Sequence, residues 1–455
     1  MRIYWLEHAM LSEGWAEAVQ LTVDPGGVIR AVATGAVRGE GTCIEGPSIP
    51  GMPNLHSHAF QGAMAGLSER TANLSDDFWS WRGLMYRLAD SLTPEDISAV
   101  TAWTYLRMLK GGFTSVSEFH YLHHDRDGRP YGNPAELSLR VVAAAEAVGI
   151  DLHLLPVFYA HSNFGGAPAE ISQRRFLHDV DGFMDLLVAL RKELNNRNSF
   201  RLGMAPHSLR AVTMPQLQFS VNAFHRMDPT GRVHIHIAEQ TREVLACLEF
   251  CGQRPVEWLL SNVAVDARFC LVHATHMEPT ELLALSKTEA VVGLCPITES
   301  NLGDGMFPSL EWTEARGRLG IGSDSNVLVS AAEELRLAEY AQRLRHQRRN
   351  VLGAPGESTG GALYRRCLQG GSQASSDEPF GFSVGAPANW ITLDVTSPLM
   401  ASRRGDHWLD TWIFAADRPV VRDVFVRGRQ VVTNGRHANE SEIEANALSV
   451  LRRIF

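Results

Sequence analysis

Short apolar runs recur through the middle of the chain, separated by stretches whose apolar residues fall at helical spacing. The runs are SIPGMPNLHSH (48–58), GGFTSVSEF (111–119), IDLHLLPVF (150–158), RLGMAPHS (201–208), RVHIHIAE (232–239), FCLVHATH (269–276), AVVGLCP (290–296) and GRLGIGSD (317–324). Between them lie amphipathic segments such as SAVTAWTYLRMLKGG, NPAELSLRVVAAAEAVG and DVDGFMDLLVALRKEL. Strands buried on both faces read as continuous apolar runs, and eight of them joined by helices predict an α/β protein, a (β/α)8 TIM-like barrel. An open doubly wound sheet is the alternative. It expects a GxGxxG turn after its first strand, and this chain reads NLHSHAF there.

Both ends of the chain have a different texture. AVQLTV, DPGGVIRAVAT and TCIEG near the start, and NWITLDV, DTWIFAA, VRDVFVRG and RQVVTNG near the end, are short alternating segments broken by turn residues. Isolated hairpins are marginal, so the two ends are expected to fold together as one small composite β-sandwich domain. The predicted organisation is 1–48 plus 385–455 for that domain and 49–384 for the barrel, with QGGSQASSDEPFG (369–381) as the linker.

Charge excludes some partners. With 42 basic and 51 acidic residues the net charge is −9, which argues against a nucleic-acid binder. Glu7 and His8 interrupt the place where a signal peptide needs an apolar run, and no segment approaches the ~20 apolar residues of a membrane span. A cytoplasmic protein without membrane association is expected. The six cysteines form no CxxC pair, and Cys247 and Cys251, four apart in a helical stretch, read as small core-facing residues.

Barrel enzymes build their sites at the C-terminal ends of the strands, and here those ends carry imidazoles and carboxylates. His56 and His58, two apart, point the same way at the end of the first strand. The fifth strand carries His234 and His236 and continues to Glu239; the sixth ends in His273 and the eighth in Asp324. This is a ligand set that a borderline cation such as zinc prefers. Each member also has a plainer reading. His234 lies roughly 6.6 Å deeper than His236 and is read as a hydrogen-bonded core residue. Asp324 in GSDSN is equally placed to cap the next helix, and Glu239 to form a salt bridge.

The motifs PGMPNLHSH, HIHIAE, LVHAT, GSDS and the C-terminal VRGRQV resemble those of the amidohydrolase superfamily, over essentially the whole chain. The resemblance implies His56, His58, His236 and Asp324 as metal ligands, with His273 beside a metal-bound water. Two-metal members usually bridge their ions with a carbamylated lysine at the end of the fourth strand. That strand here ends MAPHSLR, and the three lysines, Lys110, Lys192 and Lys287, all precede strands. Glu118 at the end of the second strand is the substitute bridge, but it reads better as structural. One divalent ion, Zn2+, is therefore expected. Hydrolysing a C=N centre then assigns Asp324 and His273 to orienting the water and taking its proton, and Glu239 to carrying a proton to nitrogen.

Substrate class is read from the mouth. Gln61, Arg82, Tyr121, His207 and Arg210 follow strand ends or sit beside them, and guanidinium forks bind carboxylates in paired hydrogen bonds. With so many arginines, structural salt bridges for Arg82 and Arg210 are the competing account. The wording GMPNLHSHAFQGAMAGL, FWSWRGLMY, EFHYLHHDRDGRPYGNPAELS and APHSLRAV is similar to the formimidoylglutamate deiminase family. That resemblance implies hydrolysis of N-formimidoyl-L-glutamate in histidine degradation by a homodimer. Gln61, Arg82, Tyr121, His207 and Arg210 would then hold a small dicarboxylate. Gly62 departs from the pattern, where a larger polar residue is expected after HAFQ. Another mononuclear deaminase, acting on guanine, cytosine or a guanidino acid, and a metal-free scaffold of the same fold are the remaining readings.

Overall fold

The computed structural model describes residues 1–39, 41–70, 77–195 and 197–455. All eight apolar runs contain strands, and they pair in two parallel sheets. One holds Met52–Ser57, Phe113–His120, Asp151–Phe158 and Phe200–Leu202, with Ala205–Pro206 paired to the third of these. The other holds Val233–Ile237, Phe269–His273, Val291–Leu294 and Arg318–Ile321. Parallel bridges at Met204–Val233 and Ser208–His236 join the sheets on one side, and Ser57–Asp324 joins them on the other.

Helices fill the connections, and their ends are specified locally. Pro94–Lys110 begins with a proline whose missing N–H is no loss at that position. It is closed by a reciprocal box: Asp96 N donates to Thr93 Oγ1 at 3.2 Å, and Thr93 N donates to Asp96 Oδ2 at 2.8 Å. Thr359–Ser375 runs against Arg318–Ile321 so closely that a Cβ on Gly370 would lie 2.0 Å from Leu319 O. Only glycine allows that approach. This helix also corrects the expected linker, because residues 369–375 belong to it and only the segment from Ser376 onward connects to Trp390–Leu393.

The ends of the chain meet in one eight-stranded sheet. Its order is Arg436–His437, Arg429–Thr433, Val421–Val426, Trp390–Leu393, Thr42–Pro50, Arg2–Leu11, Gly14–Val23, Ile29–Ala33. The seam between the two ends is antiparallel, with Trp390 opposite Pro50, Ile391 opposite Ile49 and Thr392 opposite Ser48. Trp390 stacks on Phe425, ring centroids 4.2 Å apart, over a core that includes Tyr4, Leu6 and Val19. DTWIFAA, expected as a strand, instead begins inside the helix His407–Phe414 and runs two residues past its end. It buries Trp408, Leu409, Trp412 and Ile413, four apolar side chains at helical spacing. Among the described residues no helix is long and apolar enough to cross a membrane.

Candidate active site

Strand Met52–Ser57 is buried along its whole length, and its last side chains converge with those of its neighbours. His56 and His58 bring their Nε2 atoms to 3.2 Å. His236, from Val233–Ile237, sets its Nε2 3.1 Å from His56 Nε2. Asp324, just past Arg318–Ile321, has Oδ1 at 3.4 Å from His56 Nε2 and 3.3 Å from His58 Nε2. Its main chain is tied to the first strand: Asp324 N donates to His56 O at 3.0 Å, and His58 N donates to Asp324 O at 2.9 Å. The helix Ala331–His346 is capped by Ser330, so Asp324 has no capping role. His234 lies deeper, its Nε2 on Ala374 O at 2.8 Å.

The imidazoles are held in one tautomer. His58 Nδ1 donates to Phe119 O at 2.9 Å, and His236 Nδ1 donates to His207 O at 3.0 Å. A carbonyl only accepts, so both Nδ1 atoms carry the proton and both Nε2 lone pairs face the cluster. Burial keeps the rings neutral: it pushes His56 down to about 3, His236 well below its ordinary value, and His58 down as well. Burial alone would raise Asp324, but the hydrogen bond with His56, helped by the neighbouring His58 and His273, holds it well below the usual carboxylate range. Lone pairs gathered this way repel unless a cation lies between them. Ligands ~2.0–2.1 Å from a tetrahedral ion stand roughly 3.3 Å from one another. The observed separations of 3.1, 3.2, 3.3 and 3.4 Å fit that figure. Two nitrogen-donating tautomers fixed by carbonyls, a third imidazole and a carboxylate suit a borderline divalent ion.

Glu239 and His273 complete the polar floor. Ala238, His273, Ala274, Asp324 and Asn326 all have positive φ, so the strand ends turn sharply and present their side chains to one space. His273 Nε2 stands 3.8 Å from both Glu239 Oε1 and Asp324 Oδ2. Its Nδ1 meets Glu299 Oε1 at 3.2 Å, and Glu299 also accepts from Cys295 N at 2.8 Å. Burial would lower His273, but Glu239 and Glu299 raise it to about 10. Burial raises Glu239 to about 7. Glu118 is occupied elsewhere, its Oε1 accepting from Ala59 N at 2.7 Å.

A cavity opens above this floor. Gln61, Arg82, Tyr121, His207 and Arg210 all line it, together with His58, His236, Glu239, His273 and Asp324. Gln61 Nε2 donates to Tyr121 Oη at 2.6 Å, while Gln61 Oε1 is buried without a partner. Arg82 lies 4.6 Å from the Trp79 ring centre and 5.1 Å from that of Tyr86. Arg210 is 7% exposed and its buried Nε has no partner. Neither arginine has a carboxylate within ion-pair distance among the described residues, so structural salt bridges do not account for them. Gly62 also has its reason: a Cβ there would lie 2.7 Å from Thr104 Oγ1, leaving no room for a larger side chain.

Sequence reasoning missed part of this cavity. Tyr159 follows directly on the strand Asp151–Phe158, and the same strand-end rule finds it. Glu299, which orients His273, sits in CPITES after the seventh strand and is reachable by that rule too. Trp81, Phe176 and Leu302 come from connecting segments with no such signal. Arg175 is fully buried and donates from Nε to His124 O at 2.9 Å and from Nη1 to Leu92 O at 3.0 Å and to Ala89 O. It pins the end of the helix Phe78–Ser91 by satisfying terminal carbonyls.

Four more histidines stand near the cavity wall. The ring centroid of His178 is 4.8 Å from that of His123 and 4.7 Å from that of His124, and His120 lies 5.8 Å from His123. Burial lowers all four, His120 to about 3 and His178 to about 4. An unfolded histidine takes its proton near ~6.5, so the unfolded chain binds more protons below that pH. The stability these groups confer is complete above ~6.5 and is lost as pH falls toward the folded values. At pH 5 this amounts to at most roughly 2 kcal/mol for His120. Thermal scans should show a Tm several degrees lower at pH 5 than at pH 7; a flat Tm over that interval would contradict the account.

The chain resembles known proteins over its full length. A family model described as the amidohydrolase family matches residues 48–431. Formimidoylglutamate deiminase of Pseudomonas aeruginosa is 48% identical over 456 residues, covering 100% of each chain. 8-Oxoguanine deaminase of the same species is 26% identical over 304 residues, 66% of this chain and 64% of that one. Among solved structures, an amidohydrolase from Brucella melitensis superposes with a TM-score of 0.95 at 47% identity, covering 100% of both chains. An adenosine deaminase from Xanthomonas campestris with bound zinc gives 0.82 at 21% identity, covering 99% of this chain and 98% of that one, a likeness of fold alone. The family match spans the parallel sheets and every residue of the imidazole cluster, and on that extent the chain belongs to the amidohydrolase family.

Proposed function

We propose that this protein is a metal-dependent deiminase that hydrolyses N-formimidoyl-L-glutamate to N-formyl-L-glutamate and ammonia. The observation that carries the reading is a pair of guanidinium groups, Arg82 and Arg210, lining the cavity of the imidazole cluster without carboxylate partners. A substrate bearing two carboxylates supplies what they lack. The 48% identity to a formimidoylglutamate deiminase supports the same substrate. In this reading 49–384 is a closed barrel, 1–48 and 385–455 form the small composite β-sandwich domain, and the protein is a cytoplasmic homodimer of the histidine-degradation pathway.

His56, His58, His236 and Asp324 would hold one divalent ion, Zn2+. When bound, such an ion supplies Lewis acidity and a water with a pKa near ~7. The rest is the work of side chains. Arg82 and Arg210 fix the glutamate carboxylates, with Gln61, Tyr121 and His207 on the neighbouring polar groups, so that the formimidoyl carbon faces the imidazole floor. Asp324 Oδ2 and His273 Nε2, 3.8 Å apart, orient the attacking water, and the carboxylate accepts its proton because Glu239 and Glu299 keep His273 protonated near neutrality. Glu239, raised to about 7 by burial, is protonated often enough near neutrality to give a proton to the departing nitrogen. Ammonia then leaves in place of an amide ion.

The aromatic lining, with Trp81, Tyr86, Tyr159 and Phe176, favours one competing substrate, a flat base held by stacking. Ammonia release from formimidoylglutamate, guanine, cytosine and N-carbamimidoyl acids, measured alongside bound metal, separates the readings. The expected outcome is turnover of formimidoylglutamate alone by protein carrying close to one zinc ion per chain. Preferred turnover of a base would overturn the dicarboxylate assignment, and protein that neither retains metal nor releases ammonia after zinc addition would leave only a scaffold.

A further inference from the structure

Asp324 divides its two oxygens between different neighbours. Oδ1 faces His56 and His58, whereas Oδ2 stands 3.8 Å from His273 Nε2. Close to both His273 and Asp324 lies Cys295, fully buried just past Val291–Leu294 and part of the small apolar cluster with Leu55, Cys270 and Val272. One ligand atom from each of His273, Cys295 and Asp324 lies within 4.8 Å of the others. Glu239 Oε1, 3.8 Å from His273 Nε2, adds a further oxygen nearby. Nothing in the hydrolytic reading uses the thiol.

Imidazole, thiolate and carboxylate together select thiophilic divalent ions. We propose that His273, Cys295 and Asp324 form a second, inhibitory cation site for such ions, sharing Asp324 with the three-histidine cluster. The inference rests on the reading of that cluster as a metal site. An ion on the second site forms bonds to the sulfur and to His273 Nε2, and the thiol proton and the Nε2 proton both leave to solvent. His273 Nε2 and Asp324 Oδ2 are then engaged and no longer handle the proton of the attacking water. One class of ion thus acts in opposite senses at adjacent sites: a first ion enables turnover and a second stops it.

The test uses the full-length, zinc-loaded protein carrying Cys43→Ser and Cys251→Ser, which removes the two cysteines that are not buried. Its zinc content is read first; protein that retains none overturns the three-histidine reading itself. Cadmium is then added and followed by metal analysis and by ultraviolet thiolate-to-cadmium absorption. The expected result is uptake of cadmium without loss of zinc, with the absorption and the loss of activity rising together. Adding Cys295→Ala should abolish the absorption and raise the half-inhibitory cadmium concentration at least about tenfold, and Cys295→Ser should do likewise if alanine folds poorly. Cadmium that only displaces zinc, or absorption and inhibition unchanged in both Cys295 variants, overturns the proposal.

Discussion

Glu239→Gln is expected to retain as much metal as the parent protein and to lose about three orders of magnitude in kcat. Glutamine keeps the size of the side chain, and Glu239 stands outside the group of His56, His58 and His236, so the ion has no reason to leave. What disappears is an oxygen able to carry a proton. Glu239 is 5% exposed, and its burial brings a carboxyl that normally titrates near 4.5 up to about 7. A group with that value is present in both protonation states at neutral pH, which is what a proton carrier requires. The parent pH profile of kcat/KM should therefore bend near 7, and residual activity in the variant should lack that bend. A variant within about threefold of the parent would remove Glu239 from proton transfer.

Arg210→Met is expected to leave metal content intact and to lower Tm only modestly, while lowering kcat/KM for the dicarboxylate by roughly two to three orders of magnitude. The asymmetry follows from the surroundings of the side chain. Arg210 is nearly inaccessible, with a buried Nε that has no partner. Although burial opposes its charge, Glu243, Tyr159 and Glu239 keep the guanidinium protonated. In the free protein the surrounding acidic groups favour the cation more than burial opposes it, although no carboxylate lies within ion-pair distance, so its loss costs some stability. In the complex the same cation is the partner of a desolvated carboxylate, where its removal costs on the order of 2–5 kcal/mol. Arg82→Met should fall less, because Arg82 is only half-buried and is already held against Trp79 and Tyr86. Unchanged kcat/KM in both variants would sink the dicarboxylate reading; loss of metal or of folded protein in Arg210→Met would show the residue to be structural.

The parallel sheets were legible in the sequence because their strands are buried on both faces and read as unbroken apolar runs. Against that background an imidazole or a carboxylate at a strand end stands out, which is why His56, His58, His236, His273 and Asp324 were found together. DTWIFAA was misread because a short apolar run fits a strand and a buried helix equally, and only packing decides between them. The linker begins later than composition suggests, because QGGSQAS has the composition of a loop while Gly370 serves close helix packing. Phe176 and Arg175 were invisible for another reason. Their roles depend on where a long connection returns to the structure, and no local pattern encodes that.

The seam between Thr42–Pro50 and Trp390–Leu393 has a consequence for how the protein is made. Thr42–Pro50 is separated by Gly51 alone from the strand that carries His56. During synthesis its free edge waits while some 340 residues are added, since the nearest partner on that side begins at Trp390. An open edge is a template for pairing with other chains, and contacts between residues so far apart in sequence form late. A ribosome stalled before Trp390 would hold the complete set of cluster residues beside an unsealed sheet. Such chains are expected to aggregate or to need a chaperone until the last strands seal the edge.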